Sequence, residues 1–224
     1  MNIDWIFFDI GGVLADESEF LTVRQNYNLE TIQYFQPETT MEDVLKVWPQ
    51  ASEMLGDLDE NVIQISLKDK SRIPEAIELM NEKRNKAPNY YDLLKIRPEA
   101  IEVIPQLAKK YKLGIMANQN IQAREKLGEI GLLPYFQNTD VSIDHKLSKP
   151  DPEFFKKIFE ITKADPNKSI MVDDNIERGL APSKKLGMTT ILYKLDDSNP
   201  SRDVIDFSIN SLKDLLKNNI RIIY

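Results

Sequence analysis

From residue 97 onward, short apolar runs alternate along the sequence with amphipathic segments that have the spacing of helices. The runs KLGIMAN, KSIMVDDN and TTILYK are typical of buried strands, and so is IDWIFFD at residues 3–9. Strands that alternate with helices of about 10–15 residues form βαβ units. We therefore predict an α/β fold with a Rossmann-like parallel sheet flanked by helices.

The segment RPEAIEVIPQLAKKY is one of these predicted helices. Pro98 suits the first helical turn, where its missing N–H would have no intrahelical partner. The apolar residues that follow at helical spacing predict one buried face, made of Ile101, Ile104, Leu107, Ala108 and Tyr111.

Residues 16–96 interrupt this alternation, because they have helical spacing and few runs that resemble strands. Thr40 and Asp43 have the spacing of a capping box, which begins a helix. The apolar stripe of that helix is made of Val44, Val47, Trp48, Ala51 and Leu55. We predict that residues 1–15 and 97–224 form the α/β core. The insertion should form an all-helical domain over the strand ends.

The composition excludes several classes of function. A net charge of −7 argues against a surface for nucleic acid or anionic membranes. The absence of cysteine excludes disulfides, thiolate metal sites and cysteine nucleophiles, and a single histidine, His145, excludes a multi-histidine metal site. No apolar stretch approaches the ~18 residues of a membrane helix, and the first apolar run lacks a basic leader. We therefore expect a cytoplasmic protein with a small-molecule substrate and without nucleic-acid or membrane partners.

Polar residues stand where three of the predicted strands end. These residues are Asp9, Asn118 and the pair Asp173 and Asp174, and Lys149 precedes a predicted helix. Ligands of open parallel sheets bind at the carboxyl ends of the strands. Clustered carboxylates suit Mg²⁺, which prefers oxygen ligands. A nearby lysine would offset the remaining negative charge, so this edge of the sheet is the predicted site.

Four segments of the chain resemble, in order, the motifs of the haloacid dehalogenase superfamily, whose members are mostly phosphatases. FFDIGGVL resembles the first motif, with Asp9 at the nucleophile position, and LGIMAN resembles the second. LSKPDPEFF, which contains Lys149, resembles the third, and IMVDDN together with LGM resembles the fourth. The resemblance covers the first strand and nearly everything after residue 97. The helical insert is similar to the cap of that family.

The resemblance implies a mechanism for hydrolysis of a small phosphorylated substrate. Asp9 would attack phosphorus to form an aspartyl-phosphate, which water would then hydrolyse. Mg²⁺ would neutralise charge on the transferred group. Its implied ligands are the Asp9 side chain, the backbone carbonyl of Gly11 and Asp174, with Asp173 in a supporting position. Lys149 would orient the nucleophile and bind substrate.

The chain departs from the family pattern in several motifs. The family's second aspartate, the general acid and base, is replaced by Gly11. The second motif usually ends in Ser or Thr, but here Ala117 precedes Asn118, so backbone N–H groups and the Asn118 amide are left to bind phosphate. Some relatives have a further acid where this chain has Gly179. Loss of a general acid costs about 10²–10⁴ in rate, which predicts weak phosphatase activity.

Three functions remain open from the sequence. The first is a Mg²⁺-dependent phosphatase in which another acid, such as Asp16 or Glu17, replaces the missing aspartate. The second is a metal-free, dehalogenase-like hydrolase, whose relatives bind a carboxylate with a cap arginine. Arg24 and Arg72 are available for that role, without a clear match. The third is a non-catalytic descendant that binds a metabolite or a protein, which the departures at Gly11 and the second motif suggest.

Overall fold

A computed structural model of the protein describes residues 3–54, 56–193, 202–217 and 221–222. Leu55 of the predicted apolar stripe lies outside these residues. The chain divides into two compact units, one made of Met1–Asp16 with Lys95–Tyr224 and the other of Glu17–Leu94. The second unit contains helices and no strand among its described residues. Its role as a cap stays a prediction.

Eight strands are present in the described part of the chain, all of them in the first unit. They are β1 (Trp5–Phe8), β2 (Ala15–Asp16), β3 (Lys95–Ile96), β4 (Lys112–Ile115), β5 (Ser169–Asp173), β6 (Thr189–Tyr193), β7 (Phe207–Ile209) and β8 (Arg221–Ile222). Six of them form one sheet in the order β4-β1-β5-β6-β7-β8. The pairings are parallel except between β7 and β8. This sheet confirms the predicted α/β fold.

Strand β1 lies inside the sheet, and β4 and β5 pair with it on either side. All four of its residues are buried, as the aromatic and β-branched sequence predicts. The antiparallel ribbon of β2 and β3 was not predicted from the sequence. It joins the segments through which the chain leaves and re-enters the first unit.

Ten α-helices occur in the described residues. They are α1 (Ser18–Phe35), α2 (Met41–Glu53), α3 (Leu58–Ser66), α4 (Ile73–Lys86), α5 (Tyr90–Leu93), α6 (Pro98–Leu107), α7 (Ile121–Glu129), α8 (Ser142–His145), α9 (Pro152–Thr162) and α10 (Ala181–Lys185). Shorter 3₁₀ segments lie at Lys70–Arg72, Leu133–Tyr135, Pro166–Lys168, Arg202–Val204 and Leu212–Leu216. A wider helical turn, Ile176–Leu180, follows β5 and leads directly into α10.

Local signals in the sequence explain where the helices begin. The capping box predicted for α2 is present, since the Thr40 hydroxyl accepts from the Asp43 N–H and the Asp43 carboxylate accepts from the Thr40 N–H. Helix α9 begins with Pro152 after Asp151, whose carboxylate accepts from the Glu153 N–H. At the N-termini of α2 and α9, side chains therefore accept from backbone N–H groups that the helix itself leaves unpaired.

Helix α6 begins at Pro98 as predicted, but its predicted buried face is only partly correct. Ile104 and Leu107 are buried and Ile101 is 47% exposed. Ala108 and Tyr111 follow the end of the helix and are partly buried. The face that packs on the core also includes Ala100 and Val103. The predicted stripe was misplaced because it counted the large side chain of Ile101 and not the small, fully buried Ala100.

Glu99, in the first turn of α6, binds three groups of the first unit. Its carboxylate accepts from the Tyr193 hydroxyl at 2.5 Å, from the Leu212 N–H at 3.0 Å and from the Ser211 hydroxyl. Burial raises the pKa of this carboxyl, but the hydrogen bonds from Ser211 and Tyr193 outweigh it, so the pKa lies below its ordinary value of 4.5.

We expect Glu99→Gln to lower the free energy of unfolding by about 1–2 kcal/mol at pH 7. A carboxyl with a depressed pKa in the folded state stabilises that state above the pKa of the unfolded chain. This contribution is lost as pH falls through the folded-state pKa, so the two proteins should converge in acid. Urea denaturation at several pH values would measure the difference. Glu102→Gln, at an exposed position in the same helix, is the control, and an equal loss in both variants would contradict the assignment.

No described helix is both long enough and apolar enough to cross a membrane. The cytoplasmic location stays a prediction.

Candidate active site

Three carboxylates meet at the carboxyl ends of β1 and β5. Asp9 follows β1, Asp173 is the last residue of β5, and Asp174 comes next. They can present carboxylate oxygens within 4.8 Å of one another. The Asp9 N–H donates to the Val172 carbonyl at 3.0 Å, which continues the parallel pairing to the strand end. Neighbouring parallel strands thus bring together acids that are distant in the sequence.

Lys149 bridges two of these acids. Its Nζ lies 3.1 Å from Oδ2 of Asp9 and 2.7 Å from Oδ2 of Asp173. The side chains of Lys149 and Asp173 are 4% and 0% exposed, whereas that of Asp9 is 16% exposed. The lysine therefore compensates a fully buried charge and leaves part of the Asp9 carboxylate accessible.

The electrostatics of this group follow from burial and charge. Burial lowers the pKa of Lys149, but the carboxylates of Asp173 and Asp9 raise it by more than burial lowers it. The pKa of Lys149 therefore lies above its ordinary value. Burial raises the pKa of Asp173, Lys149 opposes that rise, and Asp9 adds to it. The lysine therefore remains cationic between the two acids.

The turn after β5 supports Asp173 from the backbone. Oδ1 of Asp173 accepts from the Asn175 N–H at 2.8 Å, while Oδ2 binds Lys149. The Asn175 side chain accepts from the Arg178 N–H at 2.8 Å and caps the turn that follows. Both oxygens of Asp173 are therefore engaged, which orients its carboxylate.

Asn118 is bound to the backbone of Lys149. Its Oδ1 accepts from the Lys149 N–H at 2.7 Å, and its Nδ2 donates to the Lys149 carbonyl at 2.9 Å. One side-chain amide hydrogen of Asn118 is thus used to position the segment that carries Lys149. This contact was not predicted from the sequence. No local pattern could have revealed it, because the two residues are 31 positions apart. A direct contact of Asn118 with substrate stays a prediction.

The positions that depart from the family pattern carry no polar side chain. Ala117 is fully buried, and its carbonyl accepts from the Ser142 N–H at 3.1 Å. Gly11 is buried in the turn directly after Asp9. Of the acids suggested as replacements, Asp16 lies 3.5 Å from Nη1 of Arg97, and Glu17 accepts a hydrogen bond from the Tyr90 hydroxyl. Phosphate binding at Ala117 stays a prediction.

Two glycines let backbone approach the carboxylates. A Cβ on Gly12 would lie 1.9 Å from Oδ2 of Asp174, and Gly12 has a φ of +72°. A Cβ on Gly179 would lie 2.0 Å from Oδ2 of Asp173. The sequence suggested only a missing acid at Gly179, whereas in the structure the lack of a Cβ there leaves room for Asp173. Larger side chains at either position would displace the acids.

The arginines considered for binding a substrate carboxylate have partners within the second unit. Nε of Arg24 lies 2.7 Å from Oδ1 of the buried Asp59. Arg72 lies 2.8 Å from Glu75 and packs over the ring of Phe35. Neither guanidinium is therefore a ready anion site.

Several known proteins are similar to this chain in sequence. The family model described as haloacid dehalogenase-like hydrolase matches residues 6–193. Glyceraldehyde 3-phosphate phosphatase of Methanocaldococcus jannaschii is 32% identical over 132 residues, which is 55% of this chain and 56% of that protein. The match therefore spans little more than half of that relative's length. Pyrophosphatase PpaX of Bacillus cereus is 27% identical over 179 residues, which is 78% of this chain and 76% of that protein.

Solved structures share the fold. The hydrolase YfnB of Bacillus subtilis, in a crystal form bound to magnesium, superposes with a TM-score of 0.69 at 17% identity. The superposition covers 96% of this chain and 97% of the other. At this identity the likeness establishes the architecture of the chain.

Proposed function

The chain belongs to the haloacid dehalogenase-like hydrolase family, and from this membership we propose that it is a Mg²⁺-dependent phosphatase of a small phosphorylated metabolite. The observation that carries the proposal is the group of three carboxylates at the strand ends, two of which pair with Lys149. Two relatives named for phosphate-ester and pyrophosphate hydrolysis support the substrate class.

The donor set fits a hard divalent cation. Mg²⁺ usually binds through one or two carboxylates, with waters and substrate phosphate oxygens as further ligands. We propose that the carboxylates of Asp9 and Asp174 and the carbonyl of Gly11 would hold it. Asp173, paired with Lys149, supports this set. When bound, the cation would neutralise charge on the phosphoryl group.

Asp9 is the proposed nucleophile. Its Oδ1 accepts from the Ile10 N–H at 2.8 Å and its Oδ2 faces Lys149, so the carboxylate has a fixed orientation. An oxygen of Asp9 attacks phosphorus, the bond from phosphorus to the leaving oxygen breaks, and an aspartyl-phosphate forms. Water then attacks phosphorus, which releases inorganic phosphate, a proton and the free Asp9 carboxylate.

The leaving oxygen cannot take its proton from position 11, because Gly11 has no side chain. Water would supply that proton, and turnover should be slower than with a positioned acid by about 10²–10⁴. Substrates whose leaving group is stable without a proton, such as aryl phosphates and phosphoanhydrides, would suffer least. They are the first substrates to assay.

The other functions have less support. A metal-free, dehalogenase-like reaction would not need the acidic cluster, and the arginines Arg24 and Arg72 are already paired. A non-catalytic role is disfavoured by membership in a hydrolase family and by relatives named as phosphatases. Halide release from a 2-haloacid, assayed beside phosphate release from p-nitrophenyl phosphate, separates the two enzymatic possibilities.

Thermal unfolding with Mg²⁺ and beryllofluoride, an aspartyl-phosphate mimic, tests the proposed site without a known substrate. A ligand that binds only the folded state stabilises that state by about 2.7 kcal/mol when the ligand concentration is 100 times its dissociation constant. We expect a rise in midpoint of about 5 °C or more that requires both additives. The rise should vanish in Asp9→Asn. No shift at saturating concentrations would overturn the metal-dependent mechanism.

The glycine that contacts Asp174 gives a further prediction. Gly12 and Gly131 have nearly the same φ, +72° and +74°, but a Cβ on Gly131 would meet no atom within 4 Å. Substitution by alanine should strain both, at about 1–2 kcal/mol. Only Gly12→Ala should also weaken Mg²⁺ binding, because its Cβ would displace the Asp174 carboxylate. Calorimetric titration with Mg²⁺ measures this, and equal affinities in the two variants would contradict it.

A further inference from the structure

One residue binds three consecutive carbonyls of the turn that follows the nucleophile. Nη2 of Arg97 donates to the Gly12 carbonyl at 3.1 Å, and Nε donates to the Val13 carbonyl at 3.1 Å. The backbone N–H of Arg97 donates to the Leu14 carbonyl at 2.9 Å. A planar guanidinium suits this contact, because its donors have a fixed geometry and its charge is permanent.

The guanidinium is itself held from two further directions. Its Nη1 lies 3.5 Å from Oδ2 of Asp16, and its central carbon, Cζ, lies 5.3 Å from the centre of the Tyr193 ring. All these groups belong to the first unit. Arg97 is therefore fixed in place and can in turn fix the backbone that it binds.

That backbone lies directly against the candidate metal site. A Cβ on Gly12 would lie 1.9 Å from Oδ2 of Asp174, so a small displacement of this turn would move it into or away from the carboxylate. Gly11, whose carbonyl is a proposed ligand, is the preceding residue. The positions of the Gly11 carbonyl and the Asp174 carboxylate thus depend on the conformation of one short turn.

We propose that Arg97 is a positioning residue that sets the turn at Gly11 and Gly12 against Asp174, so that the carbonyl and the carboxylates can hold a divalent cation together. The inference rests on the proposed function. Arg97 touches neither substrate nor metal in this proposal, and it acts through the carbonyls that it binds. Partners of this kind typically change metal affinity about 10- to 100-fold when they are removed.

Titration with Mg²⁺ and thermal unfolding of the metal-free protein together test this role. Arg97→Met should weaken Mg²⁺ binding by about 10- to 100-fold. The Mg²⁺ affinity of Arg97→Lys should lie between those of Arg97→Met and the wild type, because an ammonium group keeps the charge but lacks the planar geometry of the guanidinium donors. Glu99→Gln is the matched control, since it disturbs the same network on the side of Tyr193 and Ser211 without touching the turn. It should lower the unfolding midpoint and leave Mg²⁺ affinity within about twofold, since it loses only a local hydrogen bond.

Amide hydrogen exchange gives a second measurement, without metal. Exchange at residues 10–15 should increase in Arg97→Lys and stay as in the wild type in Glu99→Gln, so the test stands even where Arg97→Met fails to fold. Wild-type Mg²⁺ binding with unchanged affinity in the Arg97 variants would overturn this inference alone. An absence of Mg²⁺ binding in the wild type would overturn the proposed function and the inference with it. An equal loss of affinity in Glu99→Gln would show that Arg97 contributes stability only.

Discussion

Phosphate release should fall by at least about 10³-fold in Asp9→Asn, since the amide that replaces the carboxylate is a very poor nucleophile. The fold should be retained. The new side chain has nearly the same shape, and its oxygen can still accept from the Ile10 N–H. Initial rates with p-nitrophenyl phosphate and Mg²⁺ would measure the loss, and circular dichroism would check the fold.

Asp4→Asn is the control for this prediction. Asp4 is exposed and stands at the opposite end of the same strand, so the charge change is equal but distant from the site. Its activity should match the wild type. Activity of Asp9→Asn within about tenfold of the wild type would show that another group attacks phosphorus, or that the protein transfers no phosphoryl group to Asp9.

Lys149→Met should lower the free energy of unfolding by about 3–5 kcal/mol, because it leaves the fully buried Asp173 without its cation. Methionine keeps an apolar chain of similar length, so lost packing contributes little. Activity should be lost as well, because Asp9 loses the contact at 3.1 Å that orients it. Chemical denaturation and the same phosphatase assay would measure both effects.

A double variant separates this explanation from general damage to the core. If the cost arises from an uncompensated charge, Lys149→Met with Asp173→Asn should be more stable than the sum of the single changes predicts. Lys156→Met is the matched control, since Lys156 is exposed and pairs only at the surface with Glu153. Strict additivity in the double variant would contradict the charge explanation.

Much of the fold could be predicted because its signals are local. The alternation of strands and helices, the capping box of Thr40 and Asp43, and the helix start at Pro98 are each encoded within a few residues. The buried face of α6 was predicted less well, since Ile101 is exposed and Ala100 is buried. Which side of a helix meets the core depends on its partners, and its own sequence gives only the spacing.

The candidate site was foreseen as a set of strand-end residues, and its geometry was not. The sequence placed Asp9, Asp173 and Asp174 after strands, and parallel pairing explains why their carboxylates meet. It did not indicate that Asn118 would bind the backbone of Lys149. That contact joins segments whose approach is set by the packing of the whole unit.

The sequence by itself determined the class of fold, the chemistry of the donor groups and the absence of a side chain at Gly11, because these depend on residue type and local spacing. Only the tertiary structure decided how close those groups come. The collision that a Cβ at Gly12 or Gly179 would cause, and the three carbonyls bound by Arg97, are contacts between distant segments. Such contacts follow from close packing, in which a single methyl group matters, and no local pattern in the chain records them.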